Sequence, residues 1–187
     1  MNFTDTLRAV SAQLDASGCR WAVIGGLAVG IYGAPRTTVD IDILIDGSCA
    51  GRLEEMLGGL GYALVYRWEE SSHFAPTCTE RCPLDFLHAH RPHSLGMLSR
   101  AHRVALAEEG LLVPVVEMED LIGLKVQAMV NDPDRRRGEL VGMRELFEAA
   151  AALRRPVDME RVREYFALFG EEKELQEILR GLEDAFR

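Results

Sequence analysis

Ile24-Gly25-Gly26-Leu27, and then Arg36-Thr37-Thr38-Val39-Asp40-Ile41-Asp42-Ile43-Leu44-Ile45, is the stretch whose reading decides the fold. From Val39 to Ile45 the pattern is that of a strand, with side chains alternating between its faces. Val39, Ile41, Ile43 and Ile45 share one face, and Asp40 and Asp42 share the other. At about 3.3 Å per residue the two aspartate Cα atoms lie about 6.6 Å apart. Two like charges that close on an apolar strand repel each other and resist burial, so the pair calls for a compensating cation, and Mg²⁺ supplies it naturally. Aspartate is depleted within strands, and the turn that follows is already provided by Asp46-Gly47, which leaves metal binding as the reading of Asp40 and Asp42.

Working outward, the residues before the aspartates form a strand at Arg20-Trp21-Ala22-Val23-Ile24, a turn at Gly25-Gly26 and a short helix over Leu27 to Tyr32, closed by Gly33-Ala34-Pro35. An opening helix is expected over Phe3 to Ala16, where Leu7, Val10 and Leu14 recur at helical spacing. After the aspartates come a helix from about Cys49 to Leu60, a strand at Ala63 to Trp68, a strand-like piece around His73 to Thr77, and a strand at Leu84-Asp85-Phe86-Leu87. Asp85 falls on the face opposite Leu84 and Phe86, so it faces the Asp40/Asp42 pair if the two strands are neighbours. Beyond His93 the pattern gives strands at Arg103 to Leu106 and Leu111 to Val116, a helix through Met118, Leu121, Ile122, Leu124, Lys125 and Met129, a break at Asn131-Asp132-Pro133, and further helices to about Ala152, from Met159 to Leu168 and from Glu171 to Phe186. The expectation is an α+β chain: residues 1–116 form a mixed β-sheet flanked by helices, and residues 117–187 form a C-terminal helical domain.

The 187 residues, 48% hydrophobic and 27% charged, suffice for one substantial core or two small ones. No run approaches the ~20 apolar residues of a membrane helix, and Met1-Asn2-Phe3-Thr4-Asp5 lacks the order of a secretion signal, so a cytoplasmic location is expected. Cys19, Cys49, Cys78 and Cys82 show no disulfide-framework density and are expected as free thiols. A net charge of −9 argues against a generic nucleic-acid binder. Local basic patches at Arg135-Arg136-Arg137, at Arg154-Arg155 and at Arg100 with Arg103 read more simply as solvated surface charge.

Several residues carry two readings. Gly25 and Gly26 let backbone amides approach a phosphate closely, or simply make a tight strand-to-helix turn. Arg36, with Thr37 and Thr38, could contact phosphate oxygens, or Arg36 could balance Asp46 or another acid. Asp85 could join the metal site or pair with a nearby arginine. Lys125, a lone cation on an apolar helix face, could snorkel to solvent or reach a triphosphate. His88, His90 and His93 beside Cys78 and Cys82 are poorly spaced for zinc. The sequence has no Gly-x-Ser-x-Gly elbow, Walker lysine loop or Gly-x-Gly-x-x-Gly fingerprint, which weakens hydrolase, P-loop and dinucleotide readings.

Gly25-Gly26, then a helix, then Asp40-Ile41-Asp42, resembles the hallmark of the DNA polymerase beta-type nucleotidyltransferase superfamily. With Arg36-Thr37-Thr38-Val39 and Leu121-Ile122-Gly123-Leu124-Lys125 the chain looks most like the AbiEii-type toxins of type IV toxin–antitoxin systems, over about Trp21 to Phe147. The resemblance implies that Asp40, Asp42 and Asp85 are catalytic and ligate two Mg²⁺ ions, with Mn²⁺ as an alternative. It implies that Gly25, Gly26, Arg36, Thr38 and Lys125 bind the nucleotide. The family often continues with a Lys-Asp-x-x-Asp-like motif, where this chain reads Arg136-Arg137-Gly138-Glu139-Leu140-Val141-Gly142, so Glu139 replaces the first acid and the second position is glycine.

The implied reaction is transfer of a nucleoside monophosphate from an NTP to an acceptor hydroxyl on RNA, tRNA included, or on a protein, with release of pyrophosphate and with an antitoxin as a further partner. Two alternatives stand beside it. One is an aminoglycoside-type small-molecule nucleotidyltransferase, and the other is a non-catalytic relic of the fold that binds nucleotide or a partner.

Overall fold

The computed structural model describes residues 3–34, 37–106 and 110–185. They divide into two compact units, Met1–Ala28 with Arg36–Glu117, and Val29–Pro35 with Met118–Arg187.

The first unit is built on a seven-stranded mixed sheet. Its elements are α1 (Phe3–Ala16), β1 (Trp21–Val23), the start of α2 (Gly25–Ile31), β2 (Ile41–Asp46), a 3-10 turn (Gly47–Arg52), α3 (Leu53–Gly58), β3 (Tyr62–Arg67), β4 (Ser71–Pro76), β5 (Leu84–Ala89), α4 (Pro92–Arg100), β6 (His102–Leu106) and β7 (Leu111–Val115). The strand order is β3-β4-β5-β2-β1-β7-β6. β2 runs antiparallel to β1 and parallel to β5, while β1 and β7 are parallel. β3, β4 and β5 form an antiparallel meander.

Alternation explains which face closes. Ile41, Ile43 and Ile45 of β2, Leu84 and Phe86 of β5 and Phe74 of β4 are all buried, and Phe74 meets Phe86 edge to face at 5.7 Å. Each such side chain contributes about 1.5–3 kcal/mol through burial. Asp42 and Asp85 fall on the opposite parity and stay half-buried. Helix α4 has no counterpart in the sequence reading. It begins with Pro92 at its first position, and Ser94 Oγ accepts the N–H of Arg91 at 3.2 Å.

One expectation is corrected in this unit. Cys19 and Cys49 are joined as a disulfide with Cα atoms 6.2 Å apart, whereas Cys78 and Cys82 are free thiols. The antiparallel register pairs Trp21 with Ile45, so residues just before β1 and just after β2 are brought together. A sequence separation of 30 conceals this. The Arg52 guanidinium lies 3.0 and 3.1 Å from the two sulfurs.

The second unit is helical: α5 (Met118–Asn131), a 3-10 turn (Pro133–Arg135), α6 (Arg136–Ala152), α7 (Met159–Leu168) and α8 (Glu172–Ala185). Its interior collects Leu121, Ile122, Val126 and Met129 of α5, Met143, Leu146 and Phe147 of α6 and Val162 and Phe166 of α7. Asp158 caps α7 by accepting from Glu160 and Arg161 N–H, and its own N–H donates to Glu119 at 2.8 Å. Tyr165 donates its hydroxyl to the fully buried Asp120 at 2.8 Å. Among the described residues, no helix is long and apolar enough to cross a membrane.

Candidate active site

The Gly25-Gly26 turn, Thr38, Asp40, Asp42 and Asp85 all belong to the sheet unit. Adjacency of β2 and β5 sets the geometry, because in their parallel register Asp42 is the direct partner of Asp85. Parallel partners project from the same face, so the two carboxylates stand side by side across a strand spacing of about 4.8 Å.

The glycine turn closes on Asp42. Gly25 has φ +61°, and a Cβ there would fall 1.8 Å from Asp42 Oδ2. Only glycine fits both the conformation and the space. Gly26 N–H points at the same oxygen from 3.4 Å, and Ile24 N–H donates to the Asp42 carbonyl at 3.0 Å. Thr38 packs against Gly26 and donates its hydroxyl to Asp40 Oδ1 at 2.6 Å. Asp40 sits one residue before β2, in a bend, with its carboxylate held by Thr38.

Asp85 has a partner that the sequence reading did not identify. His73 of β4 lies directly opposite it in the sheet, and His73 Nδ1–H donates to Asp85 Oδ1 at 2.7 Å. The ring of His73 stacks on Tyr66 of β3, with centroids 5.7 Å apart and planes inclined by 16°. Burial and the charge of Asp85 push the Tyr66 phenol up, so it keeps its proton at neutral pH. Strand parity would have placed His73 and Asp85 on one face, but only their register makes them partners.

Arg36 lies outside the described residues. Lys125, in the helical unit, is buried with its ammonium on Glu139 Oε2 at 2.9 Å, while Arg135 donates to Glu139 Oε1 at 2.7 Å. Burial pushes the Glu139 carboxyl up, but the bond and charge of Lys125, together with Arg135, outweigh it and hold the group below the usual range. Lys125 therefore does not snorkel. Other candidate basic residues are also engaged. Arg136 binds Glu171 and Glu174, Arg103 binds Asp15, and Arg155 lies 4.8 Å over the Tyr32 ring. A cleft of about 520 Å³ beside α6 and α8 is lined by Arg136, Arg137 and Arg144 with Leu140, Val141 and Ile178, and none of the candidate catalytic residues borders it.

His88 is bound within the sheet unit. Its Nδ1–H donates to the Glu69 carbonyl at 2.9 Å, so Nε2 accepts from Ser72 at 3.0 Å, and burial pushes the imidazole down.

The donor set fits Mg²⁺. Carboxylate oxygens are its preferred protein ligands, and it is usually held by one or two of them together with water and substrate phosphates. Asp42 and Asp85 meet that need, with Asp40 adjacent in sequence. Among the described residues no group of three or more His, Cys, Asp or Glu side chains is placed so that it could hold a metal ion.

A mixed sheet carrying in-register aspartates beside a strand–Gly-Gly–helix turn is the nucleotidyltransferase-like fold, and comparison with solved structures gives the same class. The antibiotic-resistance factor ANT(2'')-Ia aligns with a TM-score of 0.58 and 17% identity, covering 95% of this chain and 96% of that one. The lincosamide antibiotic adenylyltransferase LnuA aligns with 0.53 and 15% over 80% and 99%, and an antigenic nucleotidyltransferase-like protein from Paracoccidioides brasiliensis with 0.57 and 16% over 95% and 94%. No protein-family model matches the chain, and no curated protein does.

Proposed function

We propose that this chain is a metal-dependent nucleotidyltransferase that moves a nucleoside monophosphate from an NTP to an acceptor hydroxyl. The observation that carries the reading is the pairing of Asp42 with Asp85 on parallel strands, next to a turn where Gly25 has no room for a Cβ. Asp40, Asp42 and Asp85 would hold Mg²⁺, which when bound neutralises phosphate charge and favours ionisation of the attacking hydroxyl. Gly25 leaves room for Asp42 and Gly26 for Thr38, the triphosphate would lie against that turn, and Thr38 orients Asp40. Asp85, with Oδ1 fixed by His73, would hold through its second oxygen the metal that activates the acceptor hydroxyl, and the hydroxyl proton passes to solvent. The acceptor oxygen forms a bond to the α-phosphorus as the bond between that phosphorus and the bridging oxygen breaks, and pyrophosphate leaves with the electron pair. Alignment and charge stabilisation do most of this work. Use of an NTP places the reaction in the cytoplasm.

The AbiEii resemblance puts RNA or protein first as the acceptor, with an antitoxin as partner. Engagement of Arg135, Arg136 and Arg103 by carboxylates favours the second reading, transfer to a small hydroxylated molecule. Lys125 is assigned to the helical interior on the strength of its bond to Glu139.

The test is incubation with each α-labelled NTP and Mg²⁺ in the presence of total tRNA, cell protein or tobramycin, beside an Asp42→Asn control. Label transfer and pyrophosphate release are expected and should vanish in the control. Equal label from both proteins, or no NTP binding by the wild type, overturns the reading.

A further inference from the structure

Arg52 points a single guanidinium nitrogen, Nη2, at both sulfurs of the Cys19–Cys49 bond, 3.0 Å from Cys19 Sγ and 3.1 Å from Cys49 Sγ. A disulfide sulfur is neutral and a weak acceptor, so the oxidised pair gains little from this contact. Among the described residues Arg52 pairs with no carboxylate. A thiolate at either sulfur would gain a charge-assisted bond there, and a cation beside a cysteine favours its thiolate. The charge of Arg52 is thus matched to the reduced state of the pair.

The two cysteines are also held as neighbours by bonds that use no sulfur. β1 and β2 pair Trp21 with Ile45. Asp46 N–H donates to the Arg20 carbonyl at 2.9 Å, and the Arg20 guanidinium returns to the Asp46 carboxylate at 2.6 Å. Asp46 accepts in turn from Ser48 N–H at 3.1 Å and from its hydroxyl at 2.7 Å, which fixes the turn that carries Cys49. Reduction leaves these bonds intact and the thiols placed to close again. Cys19 and Cys49 are 6% and 4% exposed, with Gly51 and Arg52 exposed beside them, so the site suits a small reagent.

We propose that Cys19–Cys49 is a thiol–disulfide exchange site, opened by a small dithiol and closed by the oxidised form of that dithiol, with Arg52 stabilising the sulfur that leaves and later attacks. In opening, a reductant thiolate bonds to one cysteine sulfur, the S–S bond breaks, and its electron pair goes to the other sulfur as a thiolate beside Arg52. The second thiolate of the reductant then displaces the first cysteine sulfur and closes its own disulfide. The protein gains two electrons and, on protonation, two protons. Closing is the same sequence reversed. As the proposed reaction places the chain in the cytoplasm, where thiols are kept reduced, a disulfide there is usually one that is made and broken. The geometry at Arg52 holds whether or not that reaction does.

The full chain is equilibrated with mixtures of dithiothreitol and its disulfide, without NTP, then denatured and alkylated. Intact mass should show two labels on the oxidised form, at Cys78 and Cys82, and four on the reduced form. Reduction should run at a rate proportional to dithiothreitol, with the far-ultraviolet circular dichroism of the chain unchanged. Arg52→Met should raise the ratio of dithiothreitol to its disulfide at the midpoint about tenfold, the size of one hydrogen bond to a charged group, and Arg52→Lys should restore most of the difference. A reduction rate that stops rising with dithiothreitol because unfolding limits it, or the same midpoint in wild type and Arg52→Met, overturns the exchange site. Since no NTP enters this titration, a failure to transfer label would indict the proposed reaction alone.

Discussion

The two units treat ionisable groups on apolar elements in opposite ways. In the helical unit opposite charges are buried together: Lys125 and Glu139 have side chains 9% and 7% exposed, and Arg135 completes the set. In the sheet unit two acids of the same sign, Asp42 and Asp85, stand side by side on an accessible face. The first arrangement is internally neutralised and has nothing to offer a ligand. The second sets like charges together where a ligand can reach them, with His73 bonded to Asp85, so function is sought there and the lysine is read as architecture.

The contrast breaks most sharply at Glu139. Replacement by Leu strands the Lys125 charge in an apolar interior and should cost about 3–5 kcal/mol of stability in urea unfolding. Adding Lys125→Met should recover most of that loss, and a double variant no more stable than Glu139→Leu would show that the pair does not act as a unit. At the sheet, Asp42→Asn should do the reverse: transfer falls about 10²–10³-fold, while stability in urea unfolding changes far less than in Glu139→Leu. A destabilised but active variant would erase the distinction between the units. Next in size, replacing Cys19 and Cys49 by Ser should lower stability by about 3 kcal/mol through the freed loop, measured with and without reductant; an identical melt would discard the crosslink.

Acid should sharpen the comparison least in energy but most cleanly in order. His88 is neutral in the fold with its imidazole pushed down by burial. Its contribution is therefore present above the ordinary value of about 6.5 and lost as pH falls from there through the lower folded value. Glu139 is held below the ordinary carboxyl value of about 4.3, so its contribution is present above that pH and lost as pH drops through the folded value. Unfolding followed from pH 8 downward should show the His88 loss first, and His88→Gln should flatten that step alone.

Much of this was legible in the residues. Alternation in Val39–Ile45 separated the aspartates from the isoleucines, and the glycine pair marked the turn that Asp42 closes. Helical spacing and the break at Pro133 located α5 and α6 because those signals are local. What escaped was set by pairing between distant segments. The partnership of Asp42 with Asp85 depends on a parallel register across more than forty residues, and that of Asp85 with His73 on the next strand over. The Cys19–Cys49 link escaped for the same reason. Helix α4 was missed because it is short and its start is set by Pro92 and Ser94, in a stretch with few apolar residues.

The Cys19–Cys49 bond has a topological consequence. The covalent ring it closes contains Gly25, Gly26, Thr38, Asp40 and Asp42, with Asp85 outside it. A protease that cuts once between Gly33 and Thr37 would leave both fragments joined, and only reduction would let the glycine half part from the aspartate half.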